Sequence, residues 1–249
     1  LEAVLLSNYF HEHAPYAIRA LERGIHVLSE CISNATMAEG VELVRAAEKS
    51  TAIYMLAENY PYMSFNREMR RVYRDGTLGK VLFAEGEYNH PLDPEDIETE
   101  VQLCPSSTHW RYQLPSGGMV YDWGIHLIDQ IMGIVTDKAL KKIWCKCDHI
   151  TNELVDDGFK LEMYFEDELS VHVEVGTSNF IGLSRFYMIG RDGAALIPDW
   201  GQPARVVWCH NYNEKEVVPV VTAAGITKTM APRNEQSISE KFIPQPAAD

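Results

Sequence analysis

The first 57 residues alternate short apolar runs with longer segments of helical period, and this order restricts the chain more than any other feature. Residues 2–6 (Glu-Ala-Val-Leu-Leu), 26–30 (His-Val-Leu-Ser-Glu) and 52–57 (Ala-Ile-Tyr-Met-Leu-Ala) have the length and content of buried strands. Between the first two, Ala14, Ala17, Ile18 and Leu21 keep the spacing of one helix face over about 12–23, and Gly24 supplies the stop. Thr36 opens a second helix, with Glu39 placed three residues later for a capping box. Met37, Val41, Val44 and Ala47 predict its buried stripe. Strand, helix, strand, helix, strand at this spacing specifies an α/β unit, a parallel sheet with right-handed crossovers.

The pattern changes after residue 58. A helix over about 64–75 ends at Gly76 or Gly79, and a strand follows at 80–89. Residues 91–114 carry Pro91, Pro94, Pro105 and several acids and read as a long loop of the functional kind. A helix is expected over about 117–134, and from 139 onward the chain is strand-like. Phe159, Leu161, Met163 and Phe165 alternate with polar positions, as do Leu169, Val171, Val173 and Val175, around the turn Glu166-Asp167-Glu168. That is a hairpin, and Asp192-Gly193 and Asn211 to Glu214 mark two further turns. The expectation is an α+β domain with a large, mainly antiparallel open sheet, one face lined by helices. Residues 230–249 are Pro-rich and polar without a period and read as a tail or linker. The domains are therefore expected at 1–58, 59–230 and 231–249.

Net charge is -14, with no basic cluster; Arg67, Arg70, Arg71 and Arg74 alternate with Met69, Val72 and Tyr73, as on the wet face of a helix. Nucleic acid and anionic membrane are poor partners for such a surface. No apolar run has the length of a membrane span, and the first residues lack the basic start and apolar stretch of a signal peptide. Five cysteines, an odd number, suit a reducing compartment, so cytoplasmic residence is expected. Cys145 and Cys147 share one strand face, where a disulfide would be strained, and read as two small core side chains. No second Cys or His pair stands at ligand spacing, so no metal is expected.

The segment richest in chemistry is Gly117-Gly118-Met119-Val120-Tyr121-Asp122-Trp123-Gly124-Ile125-His126-Leu127-Ile128-Asp129. Asp122, His126 and Asp129 project from one helix face, while Met119, Trp123, Leu127 and Ile131 lie towards another. A His flanked by carboxylates can be held in one tautomer and take a proton; the same spacing by itself also suits a surface ion pair. Among the other histidines, His13 is expected near the strand ends and His11 in solvent. His90 and His109 flank the long loop, within reach of a ligand there, and His172 and His210 are expected at the surface. Trp110 suits stacking on a ligand or a place in the core equally.

Three stretches in order resemble the Gfo/Idh/MocA oxidoreductases, relatives of glucose–fructose oxidoreductase and inositol dehydrogenase. The first is His13-Ala14, Ala17-Ile18, Ala20-Leu21, Gly24, His26-Val27 and Glu30. The second is Glu58-Asn59-Tyr60 followed by Gly76-Thr77-Leu78-Gly79-Lys80. The third is Trp110-Arg111, Ser116-Gly117-Gly118 and Asp122-x-x-x-His126-x-x-Asp129. The resemblance implies that residues 1–58 are the C-terminal half of a Rossmann-type parallel sheet, and that the reaction is hydride transfer between a sugar or cyclitol carbon and NAD or NADP. It implies His126 as the base, with Asp122 orienting it or binding a neighbouring hydroxyl, and Trp110 and Arg111 at the substrate. Ser7, Asn8, Tyr9, His13, Glu30, Cys31 and Asn59 would line the cofactor crevice at the strand ends. A dimer or tetramer through the open sheet follows from its uncovered face.

Two departures stand out. The family usually carries Glu-Lys-Pro where this chain has Glu30-Cys31-Ile32, which removes an ammonium and puts a poor donor in its place. No Gly-x-Gly-x-x-Gly occurs, so the phosphate-binding turn is expected upstream, in about 70–90 residues judged from typical element lengths. Two alternatives are carried alongside the dehydrogenase: an NAD-dependent glycosidase that uses transient oxidation, and a non-catalytic sugar-binding or oligomerising relative.

Overall fold

The computed structural model describes residues 1–89, 110–150, 152–210, 218–221, 227–230 and 237–244. The predicted alternation at the start is present. Strands β1 (Ala3–Leu6), β2 (His26–Ser29) and β3 (Tyr54–Leu56) form a parallel sheet in that order, joined by α1 (His13–Leu21) and α2 (Met37–Lys49). Both helices pack on one side of it, around Ala17, Leu21, Val27, Leu43 and Ala52. The Thr36 hydroxyl accepts from Glu39 N–H and the Glu39 carboxylate from Thr36 N–H, closing the capping box.

Of the stripe expected to be buried on α2, only Ala47 packs against the core. Met37, Val41 and Val44 are 83%, 44% and 57% exposed, and Leu43 is the one buried residue of the helix. Leu43 sits beside Ala46 and Ala47, whose small side chains let α2 approach α1 closely. Close approach along the alanines outweighs burial of the larger stripe.

The second layer is an eight-stranded sheet in the order β13-β10-β9-β8-β4-β7-β6-β5. Its strands are β4 (Val81–Asn89), β5 (Leu140–Asp148), β6 (Gly158–Phe165), β7 (Ser170–Gly176), β8 (Phe186–Gly190), β9 (Gly193–Ile197), β10 (Ala204–Cys209) and β13 (Ile238–Ile243). A separate two-stranded ribbon pairs β11 (Val218–Val221) with β12 (Thr227–Met230). The large sheet is antiparallel except at its centre, where β4 and β7 run parallel. Helices α3 (Ser64–Arg74) and α4 (Ile125–Ile134) lie on one face, over a core that includes Met69, Leu127, Ile131, Phe159, Val171, Val173, Met188 and Ile197. The alternation of Phe159 to Phe165 and of Leu169 to Val175 places all eight large side chains in that core. Each fully buried side chain of this kind contributes about 1.5–3 kcal/mol.

Three expectations are corrected here. Residues 238–243 are not tail but strand β13, paired with β10 along its length. It lacks an apolar alternation because it is an edge strand, held by its backbone ladder, by Arg205–Glu240 and by Lys241 Nζ to Glu68 on α3 at 2.6 Å. Cys145 and Cys147 are exposed free thiols on the edge strand β5, not core residues. The helix expected over 117–134 begins with a π turn at Val120–Gly124 before α4. The expected turn at Asn211 to Glu214 and His90 and His109 lie outside the described residues.

Candidate active site

The carboxyl ends of the three parallel strands meet the N-terminal end of α4. The segment after β1 carries Ser7, Asn8 and Tyr9, all exposed; Glu30 and Asn59, after β2 and β3, are exposed as well. His13 is fully buried and ties two of these ends together. Its Nδ1 lies 2.8 Å from the Ile32 carbonyl and its Nε2 3.0 Å from that of Asn8. His11, expected in solvent, is half-buried, with Nδ1 2.5 Å from the Ser116 hydroxyl. The loop before the π turn is thereby fastened to the end of β1.

The centre of the site is a contact across the two layers. His126 Nδ1 lies 2.7 and 2.9 Å from the two carboxylate oxygens of Glu58, two residues beyond β3. Glu58 is 5% exposed, and its Oε1 also accepts from Tyr60 N–H at 3.1 Å. Its Oε2 accepts from the Cys31 thiol at 3.4 Å. Burial would raise the Glu58 carboxyl. The hydrogen bond and charge of His126, with the Tyr60 N–H and the Cys31 thiol, outweigh burial and hold it below the ordinary carboxylate value. An ionised carboxylate is an acceptor only, so Nδ1 carries a proton, and in the neutral imidazole Nε2 is the nitrogen with the lone pair. Tyr60 stacks on the imidazole with centroids 4.9 Å apart and planes 22° apart, and Trp123 meets it edge-on at 5.9 Å. These contacts fix the plane of the ring.

Asp122, expected to orient the base or to bind a neighbouring hydroxyl, is not the carboxylate that meets His126 Nδ1. Its Oδ2 accepts from Arg111 Nε at 2.8 Å, and the Arg111 guanidinium lies 4.5 Å over the Trp110 ring. Gly117 and Gly118 make this possible. A Cβ on Gly117 would come 2.7 Å from Gln113 N, and Gly118 has a φ of 118°. Without side chains there, Gly118 N–H reaches the Arg111 carbonyl at 2.9 Å and brings Arg111 alongside Asp122. Among the described residues the buried Asp129 Oδ2 has no hydrogen-bond partner; burial and then the Glu58 charge raise its carboxyl.

Cys31 is 7% exposed, in a small cluster with Phe10 and Ile32 against which Trp110, Tyr121 and Ile125 pack. Burial, then the charge of Glu58, pushes the thiol up to about 12, so it is neutral at pH 7. Of the expected residues, Cys31 and His126 thus meet at Glu58, Trp110 packs against the Cys31 cluster, Arg111 pairs with Asp122 over Trp110, and Ser7, Asn8, Tyr9, Glu30 and Asn59 rim the adjoining strand ends. Glu58 and Tyr60 are the site residues that sequence reasoning misses. Their one signal is the Glu58-Asn59-Tyr60 triplet itself, in which the exposed Asn59 draws attention from its buried neighbours.

Residues 66–196 match the model of the GFO/IDH/MocA C-terminal domain. A glycosyl hydrolase family 109 protein from Shewanella sp. strain ANA-3 is 28% identical over 134 residues, which cover 54% of this chain and 29% of that relative. The chain therefore spans well under two thirds of the length of the curated relative it matches. The crystal structure of an NAD-binding protein from Listeria innocua superposes with a TM-score of 0.79 at 29% identity, over 100% of this chain and 68% of that one. Levoglucosan dehydrogenase, solved with NADH and levoglucosan, superposes with a TM-score of 0.72 at 19% identity, over 94% and 61% of the two chains, a likeness of fold.

Proposed function

Because this chain belongs to the Gfo/Idh/MocA family, we propose that it provides the base and the nicotinamide-side strand ends of an NAD- or NADP-dependent oxidoreductase that acts on a sugar or cyclitol hydroxyl. One observation carries the reading: a buried, ionised Glu58 holds His126 by Nδ1 and leaves Nε2 as the acceptor. This is the carboxylate–imidazole logic of a general base. The exposed residues at the carboxyl ends of β1, β2 and β3 fit the nicotinamide end of a dinucleotide, which such folds bind at that edge. No Gly-x-Gly-x-x-Gly is present for the pyrophosphate.

The bound nicotinamide would supply the two-electron acceptor. This chain's residues handle the proton. His126 Nε2 takes it from the substrate hydroxyl, and Glu58 stabilises the imidazolium that results, as a buried carboxylate does best at short range. Arg111, fixed by Asp122 and Trp110, stands as the charged donor toward a neighbouring hydroxyl. Cys31, as a thiol, gives the developing alkoxide no positive charge, so more of the work falls to the His126–Glu58 pair.

The names of the relatives support a second reading. A glycosidase that oxidises its substrate transiently would use the same base, and the Shewanella relative is named as a glycosyl hydrolase. Accumulation of reduced nicotinamide separates the two, because the glycosidase returns its electrons and the dehydrogenase does not. The same proposal places the protein in the cytoplasm and pairs copies through the uncovered sheet face, on which Phe83, Tyr187, Leu196, Val207 and Phe242 lie among charged residues.

The test is a screen of sugars and cyclitols with NAD+ and NADP+, with His126→Asn beside the parent protein. The variant should lose about 10²–10⁴ in kcat with KM little changed, the range for a general base. A variant that turns over at the parental rate sinks the assignment of His126.

A further inference from the structure

Cys31, Glu58 and His126 come from three separate parts of the chain, and their sulfur, oxygen and nitrogen ligand atoms all lie within 4.8 Å of one another. We propose that these three side chains form a zinc site, and that zinc bound there switches off the base.

The donor set fits. Thiolate, carboxylate and imidazole are the side chains that zinc takes, and three protein ligands with a fourth position open is its arrangement at reactive sites. Tetrahedral zinc with ordinary bond lengths sets sulfur and oxygen about 3.5 Å apart and nitrogen and oxygen about 3.3 Å apart. Cys31 Sγ and Glu58 Oε2 already stand at 3.4 Å. His126 Nδ1 and Glu58 Oε1 stand at 2.7 Å, as a hydrogen-bonded pair does, and must open by about half an ångström to admit the metal. The His126 side chain is 20% exposed against 5% for Glu58, so an ion can enter from the imidazole side. Charge favours a dication as well: Glu30 and Glu58 both act on the Cys31 sulfur, and Glu58 acts on Asp129. The lysine that the family usually carries at position 31 would repel the ion, whereas cysteine supplies a soft ligand in its place.

The consequence for the base follows from proton placement. The Cys31 thiol releases its proton to solvent when sulfur binds zinc. Zinc also replaces the proton on His126 Nδ1, and that proton moves to Nε2. An imidazole that is metal-bound at Nδ1 and protonated at Nε2 has no lone pair for a hydroxyl proton. Only this inhibition rests on the reading of His126 as base; the metal site stands on the three ligands alone.

The experiment is cobalt(II) titration of the whole chain in a Cys145→Ser/Cys147→Ser background, which removes the thiols exposed among the described residues, followed by competition with zinc. One equivalent of cobalt should produce thiolate-to-cobalt charge-transfer absorption, and zinc should abolish it. Cys31→Ser should eliminate the band and weaken zinc binding by about a hundredfold or more, beyond the loss seen when only a supporting residue is changed. His126→Gln should weaken binding comparably while keeping the far-ultraviolet circular dichroism of the parent. A band that survives Cys31→Ser, or no band in a folded chain, overturns the site. The absorbance needs no turnover, so the two readings fail separately. A chain that binds cobalt through Cys31 yet oxidises nothing counts against the dehydrogenase and not the site. One that oxidises a polyol but shows no band counts against the site alone.

Discussion

Glu87 should make the protein less stable as the pH rises from about 4.5 towards 7. It is 2% exposed, on the sheet face opposite the helices, directly across from Glu174 on β7. Burial, then a hydrogen bond and charge from Glu85, raise its carboxyl from the ordinary 4.5 to about 7; the Asn89 amide, 3.4 Å away, opposes this and Glu174 adds to it. Also on this face are Lys160, 3.6 Å from Glu174, His172, held between Glu162 at 2.7 Å and Glu174 at 3.4 Å, and Tyr187, across from Glu85 on β8. A raised carboxyl binds its proton more tightly in the folded chain than in the unfolded one. The folded state is therefore unpenalised below about pH 4.5 and loses stability up to and just beyond about pH 7, where the buried group itself ionises. A displacement of that size corresponds to at most roughly 3 kcal/mol, and because Glu85 shares the proton about 1–3 kcal/mol is expected. The Glu87→Gln variant cannot ionise there. In urea unfolding it should match the parent near pH 4.5 and exceed it by that amount at pH 8, with the denaturant slope unchanged. A Glu87→Gln variant no more stable than the parent at pH 8 would refute the reasoning.

Three further outcomes follow from packing and caps. A Cβ on Gly124 would come 2.8 Å from the ring of the fully buried Phe159, so Gly124→Ala should cost about 1–3 kcal/mol in urea unfolding. Phe159→Leu should recover at least half of that in the double variant, and strict additivity would show that the ring is not the obstacle. Thr36→Ala removes the capping hydroxyl of α2 and should cost about 1 kcal/mol, read as a lower melting temperature, with no change in any ligand affinity. Glu58→Gln can offer its amide N–H to His126 Nδ1 and so stabilise the wrong tautomer. It should lower kcat by about 10²–10⁴ with KM little moved, and an unchanged kcat would remove Glu58 from the role of orienter.

The parallel sheet was legible because its signals are local. A capping box, a glycine stop and three short apolar runs are each visible within a few residues, and each stands where expected. Helix α2 shows where local reading gives out. Its larger apolar stripe looks like the core face, but α1 selects the alanine side, and that choice is made by a neighbour rather than by periodicity. Strand β13 was missed for a related reason: an edge strand held by a backbone ladder and cross-strand charges needs no apolar alternation. In the site, the Asp122–His126 spacing drew attention to His126, but the carboxylate that meets its Nδ1 is Glu58 and not Asp122. Glu58 lies 68 residues from His126, and no spacing rule reaches that far. The π turn at Val120–Gly124 changes the helical phase between Asp122 and His126, and the sequence carries no marker for it beyond Gly124.

The Glu58–His126 contact also decides how the molecule can be divided. Glu58 closes the parallel layer and His126 stands on a helix of the other layer, so the imidazole is aimed only while the two layers are docked. Neither layer carries half of the reactivity: the first holds a carboxylate with nothing to aim, the second an imidazole with nothing to choose its tautomer. Asn66 reinforces the seam, donating to the Tyr60 carbonyl at 2.7 Å and accepting from Gln130 of α4 at 2.6 Å. A rotation of one layer against the other by the width of a hydrogen bond is enough to break the contact that selects the imidazole tautomer, so on the proposed role of His126 the junction itself is the working part.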